Sequence, residues 1–205
     1  MLNNKYTISE DYNSFLWLPA KTASTTIGWI FTHFNFYSCR FDRENNIFVK
    51  EDNVIHHFGH TLLLPPNHHN MIFISSTRHP YDRVLSFYKA FGIQRTDNIS
   101  SKEGFKWYFE NHIMNEGSLF LQSKKMTEDR IPDYFIRAEN MYEDFLKIPF
   151  VQNSKLNHSG ILEEMCQKKL NNSQKLELET YLTSEIKDII YQSFKKEFDL
   201  LGYSK

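Results

Sequence analysis

The chain has 205 residues, of which 40% are hydrophobic, with 18 Phe and 11 Tyr; that much apolar and aromatic bulk excludes a disordered protein and suffices for one packed core. The formal net charge is -1, so the molecule as a whole offers no field for nucleic acid or an anionic membrane, and any anion site must be local. No stretch approaches the ~20 apolar residues of a membrane span, and "MLNNKYTISEDYNSF" lacks the basic flank and apolar run of a leader. The expectation is one domain over 1–205 in a cytoplasmic setting, with no nucleic-acid partner and no membrane insertion. Cys39 and Cys166 are far apart and form no CxxC or Cys/His spacing, which predicts free, buried thiols.

In chain order, "SFLWL" at 14–18 is a short apolar run stopped by Pro19, a buried strand. Ile27, Ile30, Phe31 and Phe34 then fall at i, i+3, i+4 and i+7, which predicts a helix from Ser24 to Tyr37. Strands follow near "NIFVK" and "NVIHHF". The segment "NMIFISSTRHPYDRVLSFYKAF" repeats the opening plan: an apolar strand over Met71–Ser75, a polar junction at Ser76–Pro80, and a helix from Tyr81 whose buried stripe is Val84, Leu85 and Tyr88. Pro80 suits the start of that helix, where its missing N–H is no loss. A helix is expected over Ser101–Asn115, a solvated connection at "LQSKKMTEDRIP", a strand at Tyr134–Arg137, a helix with Met141, Phe145 and Ile148 facing inward, and an amphipathic segment over Ser184–Leu201. Strands alternating with helices predict the α/β class, a central parallel sheet flanked by helices.

In open α/β sheets ligands bind beyond the carboxyl ends of the strands, where helix N-termini present unpaired N–H groups. Two strand-to-helix junctions carry matching chemistry. In "AKTASTT", Thr22, Ala23, Ser24, Thr25 and Thr26 are small or hydroxylated and Lys21 adds a point charge, the makings of an anion cradle. The glycines of a Walker A loop are missing. The alternative is a capped helix with Ser24 or Thr25 as N-cap and Lys21 merely solvated. In "STRHPYDRVLS", Arg78 follows a strand directly and Ser86 lies early in the next helix, a guanidinium and a hydroxyl suited to a second phosphate. Arg78 paired with Asp82 is the structural alternative; the two junctions together favour the anion reading.

These segments resemble a known family. "PAKTASTT" is similar to the 5′-phosphosulfate loop of sulfotransferases that use 3′-phosphoadenosine 5′-phosphosulfate (PAPS), and "TRHPYDRVLSFY" is similar to their 3′-phosphate motif. The loop is nearest the carbohydrate sulfotransferases of the heparan sulfate 2-O-sulfotransferase type. "DYFIRAENMYEDF" and "YQSFKKEFDLLGY" resemble two later elements of the family, so the likeness runs over nearly the whole chain. It implies a P-loop-like three-layer fold. It also implies transfer of a sulfuryl group from PAPS to a hydroxyl or amine of a glycan or small molecule, without a metal. Lys21 then stands at the leaving phosphate oxygen, the Thr22–Thr26 loop holds the 5′-phosphate, and Arg78 and Ser86 hold the 3′-phosphate. "HHFGHTLL" matches the family's H-G-H segment at Gly59 and His60, with Phe58 in place of its first histidine. His60 is the candidate base and His57 a neighbour. "KLNHSG" resembles a segment that places Lys155, Asn157 and Ser159 along the nucleotide.

Other readings of single residues are plainer. His56, His57, His60, His68 and His69 lie close in sequence, but no HExxH or nearby carboxylate completes a zinc site; His68 and His69 belong to a surface loop and His79 reads as structural. Arg137 and Glu139 are expected to form a buried pair. The rival functions are a nucleotide or small-molecule kinase, which lacks its Walker A glycines here, and a non-catalytic nucleotide-binding relative. The near-neutral charge fits a neutral glycan, lipid or metabolite acceptor better than a long polyanion.

Overall fold

The structure is a computed structural model that describes residues 5–42, 44–45, 47–52, 64–92, 102–113, 124, 130–168 and 181–205. In chain order its elements are β1 (Lys5–Ser9), β2 (Ser14–Trp17), α1 (Ser24–Thr32), β3 (Tyr37–Asp42), β4 (Ile47–Asp52), a 3-10 turn (His68–Asn70), β5 (Ile72–Thr77), α2 (Pro80–Phe87) continued by a π turn (Tyr88–Gly92), and α3 (Lys102–Tyr108) continued by another (Phe109–Ile113). There follow β6 (Tyr134–Arg137), α4 (Met141–Phe145), α5 (Pro149–Gln152), α6 (Lys155–His158), α7 (Ile161–Gln167), α8 (Ser184–Ser193) and α9 (Lys195–Leu201). They fall into two compact units, Met1–Thr77 with Pro132–Asn172, and Arg78–Ile131 with Ser173–Lys205. The expected strand at "NVIHHF" lies outside the described residues. Among the described residues no helix is long and apolar enough to cross a membrane.

The first unit is α/β, and its sheet is mixed rather than wholly parallel. The strand order is β4-β3-β1-β2-β5-β6. Only β2, β5 and β6 run parallel, while β1 pairs antiparallel with both β2 and β3, and β3 with β4. Two strands escape the periodicity. In β1, buried Thr7 and Ser9 alternate with buried Tyr6 and Ile8, so half of a two-sided strand is polar and no apolar run forms. β3 was not read, and the expected helix, which overlaps it at Tyr37 alone, in fact stops at Thr32. Phe34 continues the apolar spacing by chance of number, but Asn35 adopts φ 56, a left-handed residue that ends the helix, and the Phe36 amide closes back on the Phe31 carbonyl.

The core of this unit lies where α1 meets the sheet. Leu16, Ile74 and Ile136 come from three neighbouring strands, and Ile27, Ile30 and Phe31 from α1, with Phe145, Ile148 and Val151 beside them. Each large apolar side chain buried in this way contributes about 1.5–3 kcal/mol. On the other face Phe15 stacks on Phe73 with centroids 4.4 Å apart. Because Trp17 is in register with Ser75 and Thr77 with Arg137, the carboxyl ends of the three parallel strands come out together.

The expected pair of Arg137 forms with Asp144, not Glu139. Arg137 donates from Nε and Nη2 to the two Asp144 oxygens, both at 2.8 Å, and its backbone N–H adds a third bond at 2.9 Å. Asp144 is buried on α4 one turn beyond the strand, whereas Glu139 is exposed in the turn. Burial works against ionisation of Asp144, but the hydrogen bonds from Arg137 and Lys147 outweigh it and hold the carboxyl below the usual range. Its contribution to stability is therefore present above the unfolded value and is lost as pH falls through the folded one. Cys39 and Cys166 are free, and burial pushes each thiol up to about 12, the state of an inert structural thiol.

In the second unit, α2 begins at Pro80 as its sequence predicts, and Tyr81, Val84, Leu85 and Tyr88 pack with Phe105, Tyr108, Ile186, Ile190, Phe194 and Phe198. The amphipathic tail is two helices, broken at Phe194, which is buried in this core. Arg83, 1% exposed, donates from Nη1 to both carboxylate oxygens of Glu197, at 3.2 and 3.4 Å. Removing one partner leaves an uncompensated buried charge. Glu197→Ala is expected to lower stability by about 3–5 kcal/mol in urea unfolding, and a paired Arg83→Met, Glu197→Leu variant to lower it by much less. A loss below 1 kcal/mol for Glu197→Ala would contradict this.

Candidate functional site

The segment between β2 and α1 has unusual backbone. Lys21 sits at φ 63 and Ala23 at φ 57, both in the left-handed region although neither is glycine. For an L-residue that conformation costs roughly 1–2 kcal/mol, and alternation around it turns successive N–H groups toward one concavity, the geometry that grips anions. What holds it is visible in Thr22, which is fully buried between them. The Thr22 hydroxyl donates to the Pro19 carbonyl at 2.7 Å and meets the Ser76 hydroxyl at the carboxyl end of β5. Thr22 therefore has its hydroxyl turned inward and offers a ligand only its backbone.

The capped-helix alternative fails on the same geometry. The N-cap of α1 is Ala23, not Ser24 or Thr25, and no side chain caps the helix. No acidic residue stands in the first turn, so the helix supplies no charge of its own to offset the positive end of its dipole. Of the hydroxyls, Ser24 is half-buried and Thr25 exposed, while Thr26 is turned into the core at 7% exposure. Lys21 is half-buried at the mouth. The donor set, one cation with small hydroxylated residues around a helix N-terminus, fits a phosphate or sulfate group.

On the second unit, Arg78 is the residue just after β5, half-buried, and among the described residues it makes no ion pair; Asp82, its expected structural partner, does not bind it. The arginine used for structure is Arg83. Ser86 lies on α2 one turn beyond Asp82 and is half-buried. His79 is the N-cap, its Nδ1 accepting from the Tyr81 amide at 3.4 Å, in line with a structural reading.

Other sequence candidates are placed less tellingly. Asn157 accepts from the Tyr142 hydroxyl at 3.2 Å and donates to the Gln152 carbonyl at 2.8 Å, which engages its side chain within the α4–α7 layer. Ser159 is exposed and donates to the Leu156 carbonyl; among the described residues no hydrogen bond links it to the 19–26 loop. Lys155 is exposed. His68 and His69 stand in the 3-10 turn, His68 with its ring Nδ1 3.0 Å from the Pro65 carbonyl. No metal-holding group occurs among the described residues, and His56, His57, Phe58, Gly59 and His60 lie outside them. Ser76 was missed by the sequence reading, although a hydroxyl ending a strand beside the loop was signal enough.

No family model, no curated protein and no solved structure matches the chain.

The strain at Ala23 is open to direct test. Ala23→Gly is expected to raise stability by about 1 kcal/mol in urea unfolding, because glycine adopts this conformation freely. An unchanged or lower stability would contradict a strained Ala23.

Proposed function

We propose that the protein is a PAPS-dependent sulfotransferase with a P-loop-like fold. It transfers a sulfuryl group to a hydroxyl, or an amine, of a glycan or small-molecule acceptor. The observation that carries the reading is the 19–26 loop, with left-handed Lys21 and Ala23 leading into an uncapped helix N-terminus, on the stretch of sequence that resembles the 5′-phosphosulfate loop. An arginine that follows β5 and makes no ion pair among the described residues, within the stretch that resembles the 3′-phosphate motif, supports it independently.

In this reading the amides of Ala23 to Thr26 and the hydroxyls of Ser24 and Thr25 hold the 5′-phosphate, and Lys21 neutralises charge developing on the leaving oxygen. Arg78 and Ser86 hold the 3′-phosphate, which distinguishes this donor from ATP. His60 accepts the acceptor's proton as the new S–O bond forms and the S–O bond to the phosphate breaks, releasing adenosine 3′,5′-bisphosphate. Ser159 is assigned a contact to the nucleotide by sequence alone. Positioning and charge stabilisation supply most of the catalysis, as in phosphoryl transfer. The near-neutral surface favours a neutral acceptor.

The test is thermal stability with adenosine 3′,5′-bisphosphate, AMP, ADP, and ATP with Mg²⁺. At 100 times its dissociation constant a ligand stabilises by about 2.7 kcal/mol. The bisphosphate alone is expected to do so, with affinity reduced in Arg78→Ala and in Lys21→Ala. His60→Ala should keep the affinity and lower turnover by about 10² to 10⁴. Stabilisation by ATP instead, or by none of them, would overturn the donor assignment; full turnover in His60→Ala would remove the base.

A further inference from the structure

His79 occupies the position where Asp, Asn, Ser or Thr ordinarily caps a helix. Its φ of -46 and ψ of 125 are extended, as the residue before a proline must be, and its carbonyl accepts the Arg83 amide to start α2. Pro80 has no N–H, so the first amide of α2 in need of a partner is that of Tyr81, and the Nδ1 of His79 takes it. An imidazole accepts at Nδ1 only when neutral, with its proton on Nε2. Protonation replaces the acceptor with a second donor and adds positive charge at the positive end of the helix dipole. A carboxamide or hydroxyl cap has no such dependence.

The ring is held on three sides by aromatic groups: Tyr81 at 5.1 Å, Phe198 of α9 at 5.5 Å, and Tyr203 of the C-terminal tail at 4.8 Å. Arg78 precedes His79 and Asp82 stands in the first turn of α2. Arg83 pairs with Glu197 between α2 and α9, and Lys205 with Asp188 between the tail and α8. Burial pushes the Tyr81 phenol further above its usual value, so it stays neutral below about pH 8. Asp82 is the one carboxylate near the cap that is not engaged by a described cation. Its carboxylate can only accept from the ring, so it cannot restore the acceptor that protonation removes.

We propose that His79 is a positioning residue that fixes Arg78 through the N-cap of α2, so that acidification uncaps the helix and weakens anion binding at Arg78. This rests on the reading of Arg78 and Ser86 as 3′-phosphate ligands. Because His79 is bonded directly to Arg78, a change in the cap is felt first by the backbone that aims the guanidinium.

The experiment measures the dissociation constant of adenosine 3′,5′-bisphosphate near pH 5.5 and pH 7.5 for the wild type, His79→Asn and His79→Ala. The ligand's own phosphate titrates near ~6 and weakens binding at low pH in all three proteins, so the comparison is between ratios. The wild-type ratio is expected to exceed that of His79→Asn by about fivefold, the size of one N-cap. His79→Asn should match the wild type at pH 7.5, and His79→Ala should bind more weakly at both. Equal ratios in wild type and His79→Asn would overturn the inference. So would a wild type that gains affinity relative to His79→Asn on acidification, which would mean that the imidazolium charge acts on the phosphate directly. Binding of the bisphosphate by none of the folded proteins at either pH would overturn the donor reading itself.

Discussion

The hydroxyl of Thr22 is the constraint on which the rest of the candidate site depends. Placed between two left-handed residues, it ties the loop to the Pro19 carbonyl behind it and to Ser76 on the neighbouring parallel strand. Two non-glycine residues in that conformation together cost roughly 2–4 kcal/mol, which persists only where the surroundings over-determine the backbone. Here the buried hydroxyl pair and the packing of Ile27, Ile30 and Phe31 do so. A glycine-rich phosphate loop reaches such geometry through freedom. This loop reaches it through restraint, and arrives with its amides already arranged.

The charged residues of the motif segments divide into structural clamps and half-buried cations. In "RAENMYED", Arg137 and Asp144 clasp each other across the turn from β6 to α4, with three hydrogen bonds to one carboxylate. In "RHPYDR", the second arginine is spent on Glu197, deep in the second unit, which ties α2 to α9. Lys21 at the mouth of the loop and Arg78 before α2 are both half-buried. A residue pattern that looks uniform in the sequence thus holds two kinds of position, separable only by burial and partner.

β2, β5 and β6 could be read directly from their short apolar runs, and the boundaries of β6 match to the residue. In the antiparallel half β4 was legible near "NIFVK", whereas β1 and β3 were not. β1 carries a polar face that is nevertheless buried, and β3 followed an apolar helix so closely that Phe34 and Phe36 were counted with it. Pro80 marked the start of α2 because its missing N–H suits only one position there. The loop's residue types were legible, but its backbone was not: nothing in "AKTASTT" announces that Lys21 and Ala23 are left-handed, since both usually avoid that region. The partner of Arg137 was misjudged because proximity in sequence favoured Glu139, whereas one helical turn brings Asp144 back onto the strand.

The claim that the 19–26 loop is an oxyanion cradle is tested most directly by ¹⁵N-detected titration of the backbone amides with adenosine 3′,5′-bisphosphate. The amides of Ala23 to Thr26 should shift saturably and by more than those of the α4–α7 layer. Saturable binding that leaves these amides unmoved would contradict the cradle, wherever else on the chain the ligand was found.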